Sequence, residues 1–129
     1  LFIGAWEPST KSFHYINAGH NPPVMIDLAG KITTLDATGL ILGVLPGQQY
    51  ERKVVHIEQG SVIAIFTDGL EEAMNPEGEI FGQERIIETL TLSRELSSKE
   101  IVKTIQDKAV EFCSGRPLHD DLTMIVIKS

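Results

Sequence analysis

Apolar and polar residues alternate over the first half of the chain and change period in the second. In "SFHYINA" (12–18), Phe13 and Tyr15 fall on one side and His14 and Ile16 on the other, the period of a half-buried strand. "LFIGAW" (1–6) reads as an opening strand and "EPSTK" (7–11) as the turn that follows it. "GHNPP" (19–23) breaks the pattern, and "VMIDL" (24–28) and "KITTL" (31–35) resume it on either side of Ala29-Gly30. Strands joined by such short turns predict an antiparallel meander. "TGLILGVLPGQQY" (38–50) sets glycines and a proline around a small apolar plug and reads as a loop. "KVVHI" (53–57) and "SVIAIFT" (61–67) are strands joined through Glu58, Gln59 and Gly60. No polar residue interrupts Val62 to Phe66, which predicts a central strand covered on both faces.

After Gly69 the period becomes helical. "LEEAM" (70–74) fits a short helix ended by "NPEG" (75–78), and "QERIIETLTL" (83–92) a longer one with Ile86, Ile87 and Leu90 on one face. Ser97 and Glu100 have the spacing of a capping box. Val102, Ile105, Ala109 and Phe112 then recur at helical spacing as a buried stripe, which Gly115 and Pro117 stop. "LTMIVIK" (122–128) is the last strand. A β-rich first half, a helical segment and a closing strand make an α+β fold, not a βαβ repeat.

The 129 residues suit one domain. The net charge of −7 and the scatter of Lys and Arg, with Arg52-Lys53 the one adjacent basic pair, argue against nucleic acid as a partner. A lone cysteine, Cys113, permits no internal disulfide and suits a reducing compartment. It reads as a structural or incidental thiol at a helix end, too close to Arg116 for a thiol-phosphatase loop. No apolar run has the length of a membrane span. A cytoplasmic location is expected; the parent protein would be membrane-anchored only through segments outside this chain.

The candidate chemistry is carboxylate chemistry. Asp68 ends an apolar strand, and Gly69 leaves space in front of its carboxylate. Asp120 and Asp121 precede the other strongly apolar strand. If the two strands are antiparallel neighbours, the three acids meet at one sheet edge, where a hard divalent cation relieves their repulsion. A strand-end Asp is also an ordinary solvated turn residue, and the spacing alone leaves both readings open. Gly19-His20 admits two readings as well: a site-lining or phosphate-contacting turn, or a turn shaped by Asn17 and His20 bonding to backbone groups. Glu71 and Glu72 read as a solvated helix face, and His14 and His56 as strand residues without a chemical role. His119, before the acid pair, reads as a loop histidine.

"INAGHNPPVMI", "FTDGLEEAMNPEGEIFG" and "HDDLTMIVIK", in that order and with helices between the last two, resemble the bacterial SpoIIE/RsbU branch of the PPM metal-dependent serine/threonine protein phosphatases. The resemblance implies an incomplete PPM-type α-β-β-α sandwich, with antiparallel sheets and helices in the second half. Residues 1–129 would be the C-terminal part of a single phosphatase domain, because the family's early metal-binding Asp motif is missing. It implies Asp68, Asp120 and Asp121 as ligands of Mn²⁺ or Mg²⁺, with Gly69, Gly19 and His20 lining the site. Metal-activated water would dephosphorylate phosphoserine or phosphothreonine, with STAS-type anti-sigma-factor antagonists as substrates. An upstream sensor domain is expected in the parent chain, and uncovered sheet edges would favour a homodimer. With half of its site missing, the segment alone is expected to be inactive. The competing reading is a non-catalytic pseudophosphatase that binds a partner.

Overall fold

The first half folds as six strands: β1 (Phe2–Glu7), β2 (Ser12–Asn17), β3 (Val24–Ile26), β4 (Ile32–Thr34), β5 (Lys53–His56) and β6 (Val62–Phe66). Three helices follow, α1 (Asp68–Glu71), α2 (Gly82–Ser93) and α3 (Ser98–Phe112), and then strand β7 (Met124–Lys128). The computed structural model describes residues 1–114 and 122–129. The α+β class expected from the sequence is what is found. No described helix is long and apolar enough to cross a membrane.

The strands do not run as one meander. They form two antiparallel sheets, β1-β2-β5 and β4-β3-β6-β7, and the chain passes between them after β2, again before β5 and again before β6. The first crossing has a local cause. Pro22 and Pro23 offer no backbone N–H to a ladder, so β3 does not continue the hairpin of β1 and β2. Asn17, fully buried, holds the crossing in place. Its amide nitrogen donates to the His20 and Leu35 carbonyls at 3.1 Å each, and its amide oxygen accepts from the His20 N–H at 2.8 Å. Such complete pairing makes burial of a polar amide tolerable.

Alternation assigns the faces. Phe13 and Tyr15 of β2 point between the sheets, where they meet Met25, Leu35, Ile57 and Ile63. Val24 and Ile26 of β3 and Val62, Ala64 and Phe66 of β6 point the other way, against α2 and α3. β6 lies between β3 and β7, the central and covered position its unbroken apolar run predicts. The outer face of the three-stranded sheet carries Ile3 and Val54, both exposed. Among the described residues, helices therefore cover one outer face of the sandwich.

The helices correct the sequence reading in detail. The buried stripe of α3 is Ile101, Ile105 and Ala109, continued by Cys113; Val102 is only half-buried. Spacing of four fits the packed face better than the stripe beginning at Val102, because residues four apart stay nearly in line along the axis. Cys113 accordingly belongs to the core. On α2, Ile86 and Leu90 are buried as expected, but so are Thr89 and Ser93. Their hydroxyls donate back to the Arg85 and Thr89 carbonyls at 2.7 and 2.6 Å, which satisfies them inside the core. The short helix begins at Asp68, two residues earlier than the sequence pattern placed it.

The capping box forms as expected: the Glu100 N–H donates to Ser97 Oγ, and the Ser97 N–H donates to the Glu100 carboxylate at 2.9 Å. The Ser97 hydroxyl also donates to the Glu100 carboxylate at 2.6 Å, and this bond first, then that from the Ser97 N–H, holds the Glu100 carboxyl below the ordinary glutamate range. A group lowered in the folded state stabilises fully above its unfolded pKa, and the contribution vanishes as pH falls through the folded value. Ser97→Ala is expected to cost about 1 kcal/mol at neutral pH. The deficit should shrink on acidification below the usual glutamate range, as read from urea midpoints at a series of pH values.

Candidate functional site

Two segments carry the described candidate residues: the β2–β3 turn and α1. β6 delivers the second. Its pairing with β7 runs from Val62↔Lys128 to Phe66↔Met124, so the two apolar strands are the antiparallel neighbours on which proximity of the acids depends. The pairing extends one step further. Thr67 N–H donates to the Thr123 carbonyl at 3.1 Å, and Thr123 N–H donates to Thr67 Oγ1 at 3.1 Å. Asp68 follows Thr67, and Asp121 stands two residues before Thr123 in the sequence. Asp120 and Asp121, with His119, lie outside the described residues.

Asp68 is exposed and opens α1, with Thr67 extended before it as the N-cap. Its Oδ1 accepts from the Gly69 N–H at 3.1 Å, which turns the carboxylate over the start of the helix. Gly69 and Leu70 are buried, and Leu70 reaches the core beneath α2 and α3. The arrangement is an exposed carboxylate on a short turn whose underside is anchored in the core.

The β2–β3 turn is built from its own side chains. Gly19 has φ of +86°, a conformation that disfavours any residue with a Cβ. A Cβ there would also stand 2.4 Å from Ile41 Cγ1. Backbone conformation and the loop packed on it thus account for this glycine. The His20 ring sets Nδ1 2.6 Å from the Asn21 carbonyl. A carbonyl only accepts, so Nδ1 carries the proton in this bond. Asn17 and His20 thus make the backbone bonds that the turn-shaping reading expects. Of the other histidines, His14 sits opposite Ala5 and Val54 on the outer face of its sheet, and His56 is exposed at the end of β5.

One contact joins the two segments. Asn21 Nδ2 donates to Glu71 Oε2 at 2.8 Å, across 50 residues of chain. Sequence reasoning assigned Glu71 to a solvated face and gave Asn21 no role. The available signal was spacing: Glu71 stands three residues after Asp68, so both fall near one side of the same helical turn. Glu72, by contrast, is exposed and ends α1 with its N–H on the Asp68 carbonyl. No group of three His, Cys, Asp or Glu among the described residues is disposed to hold a metal ion. A cleft of about 300 Å³ lies between α2 and α3, lined by Phe81, Arg85, Glu88 and Phe112 among others. It shares no residue with the turn or with α1.

Two antiparallel sheets with helices packed on one of them make the α+β sandwich found in solved phosphatase domains. The phosphatase domain of SpoIIE from Bacillus subtilis, in a manganese-presoaked crystal, superposes with a TM-score of 0.75 at 15% identity, over 99% of this chain and 55% of that one. The chain belongs to the SpoIIE family, described as Stage II sporulation protein E, whose pattern matches residues 1–129. It is 34% identical over 128 residues to protein IcfG of Synechocystis sp., covering 98% of this chain and 20% of that protein. It is 30% identical over 131 residues to phosphoserine phosphatase RsbU of Bacillus subtilis, covering 99% of this chain and 38% of RsbU. The chain thus spans well under half the length of these two relatives.

Proposed function

We propose that residues 1–129 are the C-terminal part of a protein serine/threonine phosphatase domain and contribute one side of its metal centre. The observation that carries this is the β6–β7 pairing, which brings Thr67 and Thr123, the neighbours of the two acidic motifs, into one hydrogen-bonded rung. Family membership and the phosphoserine phosphatase activity named for RsbU support it.

The described donor chemistry fits a hard divalent cation. Asp68 offers an exposed carboxylate whose Oδ1 accepts from the Gly69 N–H, and oxygen donors of this kind select Mg²⁺ or Mn²⁺ over softer metals. Asp68, with Asp120 and Asp121, would hold the ion; Gly69 keeps the approach short. The cation supplies Lewis acidity at the phosphoryl group and lowers the pKa of a bound water. Gly19 and His20 line the neighbouring turn, where His20, with Nδ1 committed to the Asn21 carbonyl, has Nε2 left for a hydrogen bond with solvent or a phosphate oxygen. The substrate is a phosphorylated protein, of the STAS type that antagonises anti-sigma factors. The protein acts in the cytoplasm, and its sensor domain lies upstream in the parent chain.

The test is turnover of a phosphoserine protein with Mn²⁺ by the complete domain and by residues 1–129 alone. Turnover by the complete domain only is expected. Turnover by the isolated segment would overturn the assignment of half a centre to it. Absence of turnover in both would favour a partner-binding pseudophosphatase.

A further inference from the structure

The turn at residues 17–23 leads from β2 into β3, the neighbour of the strand β6 that α1 follows, and both the turn and α1 carry candidate site residues. Helix α1 is four residues long, and its backbone bonds include Leu70 N–H to the Thr67 carbonyl at 3.2 Å and Glu72 N–H to the Asp68 carbonyl at 2.8 Å. Leu70 anchors it in the core. The adjacent Glu71 adds a part-buried bond, its side-chain oxygen accepting from Asn21 Nδ2 at 2.8 Å. The turn that presents Asn21 is itself stiff. Asn17 holds His20 at its backbone N–H and carbonyl, and the His20 ring holds the Asn21 carbonyl.

We propose that Asn21 and Glu71 form a positioning pair that transmits the rigidity of the β2–β3 turn to α1 and so sets the direction of the Asp68 carboxylate. Glu71 works through Asn21 and does not bind the cation itself. The proposal rests on the reading of Asp68 as a metal ligand. Partners that orient a ligand from behind typically change metal affinity by about 10–100-fold when removed.

The experiment is Mn²⁺ titration by calorimetry of the complete domain, together with amide exchange at Leu70 and Glu72 in metal-free protein. Glu71→Ala and Asn21→Ala should each weaken Mn²⁺ binding by about 10–100-fold. The double variant should be no worse than either single, since both remove one bond. Glu71→Gln, whose side-chain oxygen still accepts from Asn21, should recover most of the affinity. The alanine variants should also speed exchange in α1 without metal, and added Mn²⁺ should restore much of their turnover. Equal losses in Glu71→Gln and Glu71→Ala would overturn the proposal, because the charge and not the bond would then matter. Wild-type affinity in the alanine variants, or additive losses in the double variant, would overturn it too. A wild-type protein that binds Mn²⁺ and shows the coupling but has no turnover leaves the pair standing and removes only the phosphatase reading. One that binds no Mn²⁺ overturns both.

Discussion

Asp68→Asn is expected to abolish Mn²⁺-dependent turnover by the complete domain and to leave the fold unchanged. The two halves of that expectation have separate causes. Asn retains an oxygen that accepts from the Gly69 N–H, so the bond that turns the side chain over α1 persists. The site is exposed, and surface substitutions that break no special contact change stability by less than about 0.5 kcal/mol. What is lost is the negative charge and one anionic oxygen donor. The stabilisation a divalent cation gives a phosphoryl-transfer transition state is several kcal/mol, and about 1.4 kcal/mol is tenfold in rate, so a drop of at least about 100-fold is expected. Thermal stability provides a second reading. A ligand present at about 100 times its Kd stabilises the folded state by about 2.7 kcal/mol, and the variant should lose this Mn²⁺-induced shift. Full activity across a Mn²⁺ titration would remove Asp68 from the site.

How much of this was legible in the sequence depends on the range of the interaction. The alternation of Phe13 and Tyr15 against His14 and Ile16 gave β2 and its inward face, because a strand's side-chain period is local. The capping box of Ser97 and Glu100 was legible for the same reason. The central place of β6 followed from an apolar run that only burial on both sides accommodates. Sheet membership was not legible: turns of similar length connect strands within one sheet and between two. The crossing after β2 depends on Asn17 reaching Leu35, 18 residues away. The stripe of α3 was misplaced by one residue at its start, since Ile101 and Val102 are equally apolar and only the packed partner separates them.

The site divides along the same line. Asp68 drew notice from its abrupt position between an apolar strand and a glycine. Gly19 drew notice through its motif, and its cause, a positive φ against Ile41, is visible only in three dimensions. The bond of Glu71 to Asn21 was not legible, because the partner lies 50 residues away and nothing in a helical pattern points to it. The β6–β7 register carries the two strands side by side as far as Thr67 and Thr123.

Phe66→Ala should give the opposite signature to Asp68→Asn: a large loss of stability, with chemistry impaired only through the fold. Phe66 is 2% exposed and belongs to the cluster that β3 and β6 form with α2 and α3. Removing a buried phenyl ring costs about 3–5 kcal/mol, from lost transfer energy and the cavity left behind. A domain of ordinary stability has about 5–15 kcal/mol in total, so the variant should lose a large part of it. The denaturant midpoint of the complete domain should fall with the slope unchanged. Leu92→Ala is the control on α2: at 74% exposure, the same kind of truncation should barely move the midpoint. Phe66 also forms the last strand rung before Thr67–Thr123. A cavity beneath it loosens the end of β6, so Mn²⁺ affinity should weaken in Phe66→Ala even where the protein is fully folded. A midpoint shift with unaltered Mn²⁺ affinity would show that Thr67 and Leu70 hold Asp68 without help from the strand below.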